Sequence, residues 1–370
     1  MRRLAAAAMV AGLVGLVLWT APRAESSLPS LNGPALAEVQ NYLFLIQDGS
    51  KNLTVLDTSK DSLAGSLELG LVPSHIAVSK STRRLAAIDG GSARVELLDL
   101  AKGGGQDLSL PFTPVQLTVS PDGKKLAVGG GGSVVLIDLE QIRIQAKADG
   151  LGVLKDLMFS ADGASLFAAS GTEIAVLDTA NALQRRDAAL AAKGFTRAPD
   201  GRAVFARSGD GISVLDAKSL KPVIKLPGDD GTTAQPTATG DYLLLLDSPR
   251  QTLTLVHGDR WETGKSFHIP ADAVTAYSGW FDSVAVIPSH DAHSLTVIDL
   301  WRQYQGKDIA LPAAPLAGAV SGDGAKLYLP LEGKAKLAVV DLRNRKLDQI
   351  ITLPQPARLA VLADSYGICH

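Results

Sequence analysis

The chain has 370 residues and a net charge of −2, from 36 Lys and Arg against 38 Asp and Glu. Its hydrophobic share of 46% excludes an intrinsically disordered protein. The charge balance argues against a nucleic-acid partner, because neutralising phosphates requires a surplus of Lys and Arg. The single cysteine excludes an internal disulfide framework and any zinc or iron–sulfur site made of several cysteines.

Residues 1–24 have the pattern of an export signal. Arg2 and Arg3 form a basic start, and a mostly apolar run follows from Leu4 to Ala21. A basic head, an apolar middle and small residues at the end predict a secretory signal peptide. An uncleaved N-terminal anchor is the alternative, because Pro22 occupies the third position before the expected cleavage point. Both interpretations place the rest of the chain in the periplasm or outside the cell.

A short motif of alternating apolar residues, closed by an acid in all copies but the sixth, recurs along the chain. The closing residues are Asp57, Asp99, Asp138, Asp178, Asp216, His257, Asp299 and Asp341. The intervals between them are 42, 39, 40, 38, 41, 42 and 42 residues. A period of this length predicts a propeller or another repeat array.

An Asp-Gly turn keeps the same phase as this motif. It occurs at Asp122–Gly123, Asp162–Gly163, Asp200–Gly201 and Asp323–Gly324. Asp-Gly favours the positive backbone dihedral of a tight hairpin. Each unit is therefore predicted to contain an inner strand, a turn, a second strand, a third strand that ends in the acid, and a fourth strand. This order is typical of a four-stranded antiparallel propeller blade. A helical solenoid is the disfavoured alternative, because only Ala180–Lys193 looks capable of forming a helix.

The repeat count predicts an all-β, eight-bladed β-propeller, or a seven-bladed one if the decayed sixth unit is not a full blade. The N-terminal part begins at a second strand, Asn41–Ile46, and the C-terminal part supplies a first strand, Arg358–Leu362. Blade 1 would then combine both chain ends and close the ring, which protects the sheet edge. We expect residues 25–40 to form a linker or wrapping arm and residues 41–370 to form one propeller domain.

The repeated phrases resemble those of a known repeat family. Val55-Leu56-Asp57-Thr58, Ser120-Pro121-Asp122-Gly123 and the loop at Pro73 are similar to the YVTN-type β-propeller repeat, a WD40-like repeat found in exported bacterial propellers of the YncE-like kind. The eight-unit count also resembles haem d1-domain propellers. The resemblance covers roughly residues 40–370. It implies the fold but assigns no catalytic residue, because the shared residues build turns and sheet packing.

One candidate binding site lies at the mouth of the expected channel, where each inner strand begins. Arg358, His75, Gln116 and Asp156 fall on four consecutive blades, starting from blade 1. The equivalent residues of blades 5, 6 and 8 are small: Gly194, Ala234 and Ala317. We expect this sector to bind a small polar or anionic group, with Arg358 and His75 as donors. The alternative is that these residues only line a water-filled channel.

Two further groups are candidate metal ligands. His290 and His293 lie three residues apart on the expected loop between the second and third strands of blade 7, and such a pair suits zinc or copper. At the C-terminus, Cys369 and His370 form a thiol–imidazole pair suited to a soft metal. A solvated polar loop and a half-buried thiol are the alternatives.

The sequence favours a binding function over an enzymatic one. No nucleophile–base constellation stands out, so we expect an exported, non-enzymatic propeller that binds a protein partner or a small polar ligand at the channel mouth. Trp280, Phe281 and Trp301 around blade 7 are a candidate partner-binding patch, or else blade packing. The alternatives are a redox or cofactor-handling propeller of the haem d1 or quinoprotein kind and a lactonase-like hydrolase. The sequence identifies no cofactor.

Overall fold

Strands account for nearly all of the regular structure in the computed structural model, which describes residues 28–31, 36, 38–188 and 190–363. Within these residues the helical structure is limited to 3-10 conformation at Leu36 and in the short turn Val39–Asn41. Among them, no helix combines the length and the apolar character that crossing a membrane requires. The expected export segment, Cys369 and His370 lie outside the described residues.

The strands follow one another in the predicted order. In the first half of the chain they are β1 (Tyr42–Gln47), β2 (Asn52–Asp57), β3 (Ser62–Glu68), β4 (His75–Ser79), β5 (Arg84–Ile88), β6 (Arg94–Asp99), β7 (Gly105–Ser109), β8 (Gln116–Val119), β9 (Lys125–Gly130), β10 (Ser133–Asp138), β11 (Arg143–Ala148), β12 (Asp156–Phe159), β13 (Ser165–Ala169), β14 (Ile174–Asp178) and β15 (Gln184–Ala188). In the second half they are β16 (Gly194–Arg197), β17 (Ala203–Ser208), β18 (Gly211–Asp216), β19 (Pro222–Leu226), β20 (Thr232–Pro236), β21 (Tyr242–Asp247), β22 (Thr252–His257), β23 (Thr263–His268), β24 (Tyr277–Gly279), β25 (Val284–Ser289), β26 (Ser294–Asp299), β27 (Tyr304–Gln305), β28 (Ile309–Ala310), β29 (Ala319–Val320), β30 (Lys326–Pro330), β31 (Lys336–Asp341), β32 (Lys346–Thr352) and β33 (Ala357–Leu362).

These strands form eight antiparallel sheets, which confirms the eight-bladed β-propeller. Blade 1 combines β33 with β1–β3, and blades 2 to 8 follow in chain order as β4–β7, β8–β11, β12–β15, β16–β19, β20–β23, β24–β28 and β29–β32. The decayed sixth unit is a complete blade, β20 to β23, so the seven-bladed alternative is wrong. In blade 7 the fourth strand is split into β27 and β28, which both pair with β26. Ala180–Lys193 forms a turn and the strand β15 rather than a helix, because its backbone pairs with the edge of β14.

Blade 1 is built from both ends of the chain, as predicted. Its strand order is β3-β2-β1-β33, so the last strand supplies the innermost position of the first blade. A parallel bridge between Ala317 and Leu359 also joins the inner strands of blades 8 and 1. We call the end of the ring that carries the turns between second and third strands the top face. The opposite end, which carries the turns between first and second and between third and fourth strands, is the bottom face.

The core lies between the blades rather than inside them. Second and third strands are buried on both sides, as in β9 and β10, because each side packs on a neighbouring blade. Phe167 and Val176 of blade 4 contact Val204 and Leu215 of blade 5 in one such layer. Fourth strands such as β7 are exposed because they form the outer rim. No blade can therefore bury its apolar side chains alone.

The acid that closes each third strand fixes the turn that follows. Asp138 accepts hydrogen bonds from the backbone N–H groups of Glu140 and Gln141 at 2.9 and 2.8 Å. The residue four positions after the acid has a positive φ in every blade, as at Ile142 with φ 52°. At His257 the turn keeps this shape through a backbone bond from Trp261 N–H to the His257 carbonyl at 2.8 Å. Backbone bonding therefore keeps the turn in the sixth unit, where the closing residue is not an acid.

Side chains across the seam between blades 8 and 1 reinforce the closure. The hydroxyl of Tyr328 on β30 donates to Asp61 Oδ1 at 2.7 Å, and Lys326 forms an ion pair with the same carboxylate. Tyr328 is fully buried, so its hydroxyl has to be satisfied by a protein partner. Asp61 is part of a turn near the N-terminus, so this contact joins residues from the two halves of the chain.

The described part of the N-terminal arm packs on blade 1. Leu31 N–H donates to the Ser66 carbonyl at 2.9 Å, and Ser66 N–H donates to the Pro29 carbonyl at 3.0 Å. Further along, the side chains of Leu36 and Val39 are fully buried with the core between blades 1 and 2. The arm thus covers part of the outer sheet edge of β3, where unpaired backbone groups would otherwise face solvent.

The closing strand leads to a stability prediction. We expect a chain that ends at Pro356 to lose its cooperative urea-induced unfolding transition, because it exposes the inner edge of β1 and the core around Leu43 and Leu45. A chain that ends at Ala363 is the control, since both variants lack residues 364–370 and only β33 distinguishes them. Far-UV circular dichroism during urea titration measures the difference. Equal transitions in the two chains would disprove the role of β33.

Candidate functional site

The register of the inner strands places the predicted sector at the top mouth of the channel. His75, Gln116 and Asp156 each begin an inner strand and pair with Ile88, Gly129 and Ala169, which hold the same position on the second strands. They are therefore equivalent residues on three consecutive blades, as the sequence predicts.

Two members of the predicted ring lie at other registers. In blade 6, Thr233 pairs with Leu246 at the equivalent position, so Thr233 replaces the expected Ala234. In blade 1, Leu359 pairs with Ile46 at the equivalent position, and Arg358, one residue closer to the top face, is the extra residue of a bulge between Ile46 and Gln47. A bulge adds a residue and redirects the following side chains, and the alternation pattern does not show it.

Arg358 and His75 lie side by side. Arg358 Nη2 donates to the carbonyls of Pro73 and Ser74 at 3.0 and 2.5 Å, and its Nε lies 3.2 Å from Asp48 Oδ1. Burial lowers the pKa of the half-buried His75 below its usual value, and the positive charge of Arg358 lowers it further. The fixed cation of Arg358 and the imidazole of His75, which the sequence predicts as donors, are thus close enough to influence each other.

Gln116 is used to hold two blades together. Its Nε2 donates to the Lys155 carbonyl at 3.1 Å, one residue before the next inner strand. Arg358 makes the same kind of bond to Ser74, one residue before His75. These residues therefore stabilise contacts between neighbouring blades, whatever else they bind.

Asp156 is the acid of the sector. Its carboxylate accepts hydrogen bonds from the N–H groups of Leu157 and, in blade 5, Phe195, both at 2.8 Å. Burial raises the pKa of Asp156 to about 6, although both hydrogen bonds and the charge of Arg207 favour its ionised form. This group therefore exchanges its proton close to neutral pH.

Arg207 lies beside Asp156 and does not stand out in the sequence motifs. This half-buried side chain forms no hydrogen bond or ion pair with any described residue, and a Cβ added to Gly194 would lie 3.5 Å from Arg207 Nη2 and 3.3 Å from Asp156 Oδ2. Its position could have been found from the repeat, because the equivalent residues Ile88, Gly129 and Ala169 are apolar or small. Arg207 therefore adds a second guanidinium next to the mouth.

His290 and His293 lie on the predicted loop of blade 7, but His290 turns towards a carboxylate. His290 Nε2 lies 2.8 Å from Glu332 Oε2 of blade 8. This contact and Asp291 raise the pKa of His290 above its usual value, and both partners favour the charged imidazolium. Within residues 28–31, 36, 38–188 and 190–363, no group of three or more His, Cys, Asp or Glu side chains converges as metal ligands would.

A shallow cleft of about 690 Å³ opens on the top face between blades 5 and 6. Its charged residues already pair with one another: Lys225 with Asp210, and Arg250 with Asp229 and Asp247. A ligand would have to replace these pairs, so the cleft is a weaker candidate than the channel mouth.

Comparison with known proteins supports the fold and no particular activity. No model of a protein family matches the sequence, and no curated protein sequence matches it significantly. Among solved structures, the chain is similar to the dihydro-haem d1 dehydrogenase NirN, with a TM-score of 0.73 and 17% identity over 90% of this chain and 77% of that one.

Two other solved propellers show the same likeness. Apo AztD from Citrobacter koseri has a TM-score of 0.66 and 15% identity over 86% of this chain and 97% of that one. The C-terminal WD40 domain of Sif2 has a TM-score of 0.58 and 16% identity over 76% of this chain and 83% of that one. At such identities the likeness establishes a β-propeller, and function has to be argued from the site.

The raised pKa of Asp156 leads to a pH prediction. Its folded pKa of about 6 lies above the ordinary 3.8, so the native state holds this proton more tightly than the unfolded chain does. Its contribution to stability is therefore present at acidic pH and is lost as the pH rises from about 4 to about 6, with a slope of up to about 1.4 kcal/mol per pH unit. We expect Asp156→Asn to remove this slope, as measured by urea unfolding at several pH values.

Asp162→Asn is the matched control for this measurement. The Ser160 hydroxyl and the Ala164 N–H lower the pKa of Asp162, so that carboxyl titrates below the same window. The free energy of unfolding of the control should differ from that of the native protein by the same amount at each pH. A slope that survives in Asp156→Asn would show that another group causes it.

Proposed function

We propose that this protein is an exported, non-enzymatic β-propeller of the YVTN type that binds a small anionic ligand at the top mouth of its channel. The observation that carries the proposal is the placement of Arg358 beside His75. The positive charge of Arg358 disfavours the protonated form of His75. An anion bound between the two side chains would offset this repulsion and favour the protonated imidazole, which could then donate a hydrogen bond to the anion. The exposed Asp48 is the only acid paired with Arg358 among the described residues.

Two neighbouring features support an anion site. Arg207 adds a guanidinium that has no carboxylate of the described residues within ion-pair distance, although its charge acts on Asp156, and Asp156 loses its negative charge as the pH falls through about 6. Both features make the mouth more favourable to negative charge at mildly acidic pH. An exported location follows from the pattern of residues 1–24 and belongs to the same proposal.

Ligand-induced stabilisation tests the proposal. Phosphate, sulfate and succinate serve as probes, and an anion that binds the native state raises the melting temperature by an amount that grows with the logarithm of its concentration relative to its Kd. We expect Arg358→Gln to weaken binding about tenfold or more, since a hydrogen bond to a charged group contributes about 1.5–3 kcal/mol. Affinity should rise as the pH falls from about 8 to about 6, because a bound anion raises the lowered pKa of His75. Titration calorimetry measures both effects.

Three variants separate binding from folding. Arg358→Lys keeps the positive charge and should bind better than Arg358→Gln. His75→Gln should reduce the pH dependence, and the part that remains is expected from Asp156. Arg94→Gln is the control, because Arg94 pairs with Asp107 on the outer part of blade 2. If Arg358→Gln together with His75→Gln binds the probes like the native protein, the site is dismissed.

A cofactor-handling function is the second candidate, favoured by the likeness of the whole ring to NirN, whose name describes a dihydro-haem d1 dehydrogenase. A visible absorption spectrum of protein purified from its native host tests it. Absorbance bands that stay with the protein through gel filtration would support this candidate, and their absence would favour the anion-binding one. A lactonase-like hydrolase is less well supported, because among the ring positions of the described mouth only Asp156 supplies an acid.

A further inference from the structure

On the bottom face, the turn between the first and second strands of blade 7 differs from the same turn in blades 2, 3, 4, 5 and 8. Blades 3, 4, 5 and 8 have an Asp-Gly pair there, and the glycines have φ values of 68–72°. Blade 2 has the same four-residue spacing as blade 7, with Lys80 and Ser81 in the places of Trp280 and Phe281. Phe281 is 68% exposed. A bulky aromatic side chain therefore stands where the repeat elsewhere has small or polar residues.

The backbone of this turn is strained. Trp280, Phe281 and Asp282 have φ values of 47°, 54° and 52°, in the left-handed region that favours glycine. Three consecutive residues with side chains persist in this conformation only because the surroundings hold them. Because Phe281 is exposed, packing in the core does not explain this strained conformation, which therefore indicates a function at this turn.

The turn between third and fourth strands departs from the repeat in the same blade. The residues two positions after the closing acid are Ser59, Ala101, Glu140, Ala180, Lys218, Asp259, Trp301 and Arg343. Only blade 7 has an aromatic residue there, and Trp301 is 65% exposed. Tyr304, at the start of β27, is 42% exposed. Two independent turns of one blade thus carry exposed aromatic side chains.

The two turns lie next to each other and are rigidly held. Leu300 N–H donates to the Ser283 carbonyl at 3.0 Å, which joins the turns directly. Trp280 N–H donates to the Gly324 carbonyl of blade 8 at 2.7 Å. Asp282, 1% exposed, accepts bonds from the N–H and hydroxyl of Thr239 in blade 6 at 3.0 and 2.5 Å. Such a surface loses little conformational entropy when it binds a partner.

The exposed arginines beside these aromatic residues are Arg302 and Arg343, and the adjoining turn of blade 8 carries one exposed acid, Asp323. Arg302 follows Trp301 directly, and the guanidinium of Arg343 lies 4.8 Å from the ring centre of Trp280. Among the described residues, no carboxylate lies within ion-pair distance of either arginine. The acids of the two turns, Asp282 and Asp299, are 1% and 2% exposed, so their charges are covered.

From these features we infer that Phe281, Trp301 and Tyr304, flanked by Arg302 and Arg343, form a docking surface for an acidic, apolar segment of a partner protein. Aromatic and arginine side chains are the residues that dominate protein interfaces. The arginines are complementary to acidic residues that flank an apolar anchor. This surface is on the opposite end of the ring from the anion site, so the two proposals stand independently.

Two other occupants fit the surface less well. A second copy of the chain, related by two-fold symmetry, would bring the same arginines against each other. An anionic membrane is usually bound by clusters of four to eight basic residues, and this surface offers two. Both remain as distinguishable outcomes of the experiment.

Fluorescence anisotropy with the full chain and synthetic peptide pools tests the inference. Three labelled pools share Leu and Trp anchors and differ in flanking residues, which are Asp and Glu, Ser and Gln, or Lys and Arg. We expect the acidic pool to bind about tenfold more tightly than the neutral pool, and the basic pool to bind least. Binding should weaken as NaCl rises from about 50 to about 300 mM, because salt screens exposed charges.

Variants assign the binding to this surface. Phe281→Gly removes the aromatic ring and suits the left-handed backbone, so the fold should be kept or stabilised while the affinity falls about tenfold. Trp301→Ala should have a similar effect on affinity. Arg302→Gln with Arg343→Gln should remove the preference for the acidic pool. Lys80→Ala with Ser81→Ala, at the same turn of blade 2, is the matched control and should bind like the native chain.

Each contrary result overturns the inference. Equal binding of the acidic and basic pools would disprove the docking of an acidic segment at this surface. Undiminished binding by Phe281→Gly and Trp301→Ala would disprove it as well. Failure of every pool to bind would also disprove the docking surface, without bearing on the proposed anion site at the channel mouth. Binding to phosphatidylglycerol vesicles without peptide binding would identify a membrane surface instead. Sedimentation that shows a dimer abolished by Trp301→Ala would identify a second copy.

Discussion

The structure depends on the closure of the ring by a strand from the far end of the chain. Second and third strands are buried on both sides, so each blade needs two neighbours to cover its apolar side chains. The pairing of β33 with β1 gives the first and the last blade those neighbours. The contact of Tyr328 and Lys326 with Asp61 adds polar bonds at the same seam. Every candidate site lies on a rim whose shape this closure fixes.

Repetition supplies an internal reference for interpreting the surface. Eight copies of one turn show which residues the fold itself requires, since the closing acid and the left-handed residue after it recur around the ring. A residue that differs from its equivalents in the other blades is therefore not needed to form the turn or the strand at that position. Arg207 at the top mouth and Phe281 and Trp301 on the bottom face are such residues. They place the two proposed binding surfaces on opposite ends of the ring.

At the top mouth, polar side chains combine two tasks. Gln116 and Arg358 donate to backbone carbonyls of the next blade, and Asp156 accepts from the next blade. Such bonds satisfy groups at a half-buried surface and keep neighbouring inner strands in register. They also hold the side chains in one conformation, which reduces the entropy lost when a ligand binds. A ligand at this mouth would therefore bind to groups that the ring has already oriented.

The sequence by itself determined the strand order, the count of eight units and the closure by both chain ends, because alternation and turn signals are local and repeat with one period. It also placed His75, Gln116 and Asp156 at equivalent positions. Only the tertiary structure decided that Leu359 holds the ring position while Arg358 lies in a bulge, that Thr233 replaces Ala234 in the ring, and that His290 faces Glu332. Those contacts join different blades, and their geometry follows from bulges and from the curvature of the ring, which no local pattern records.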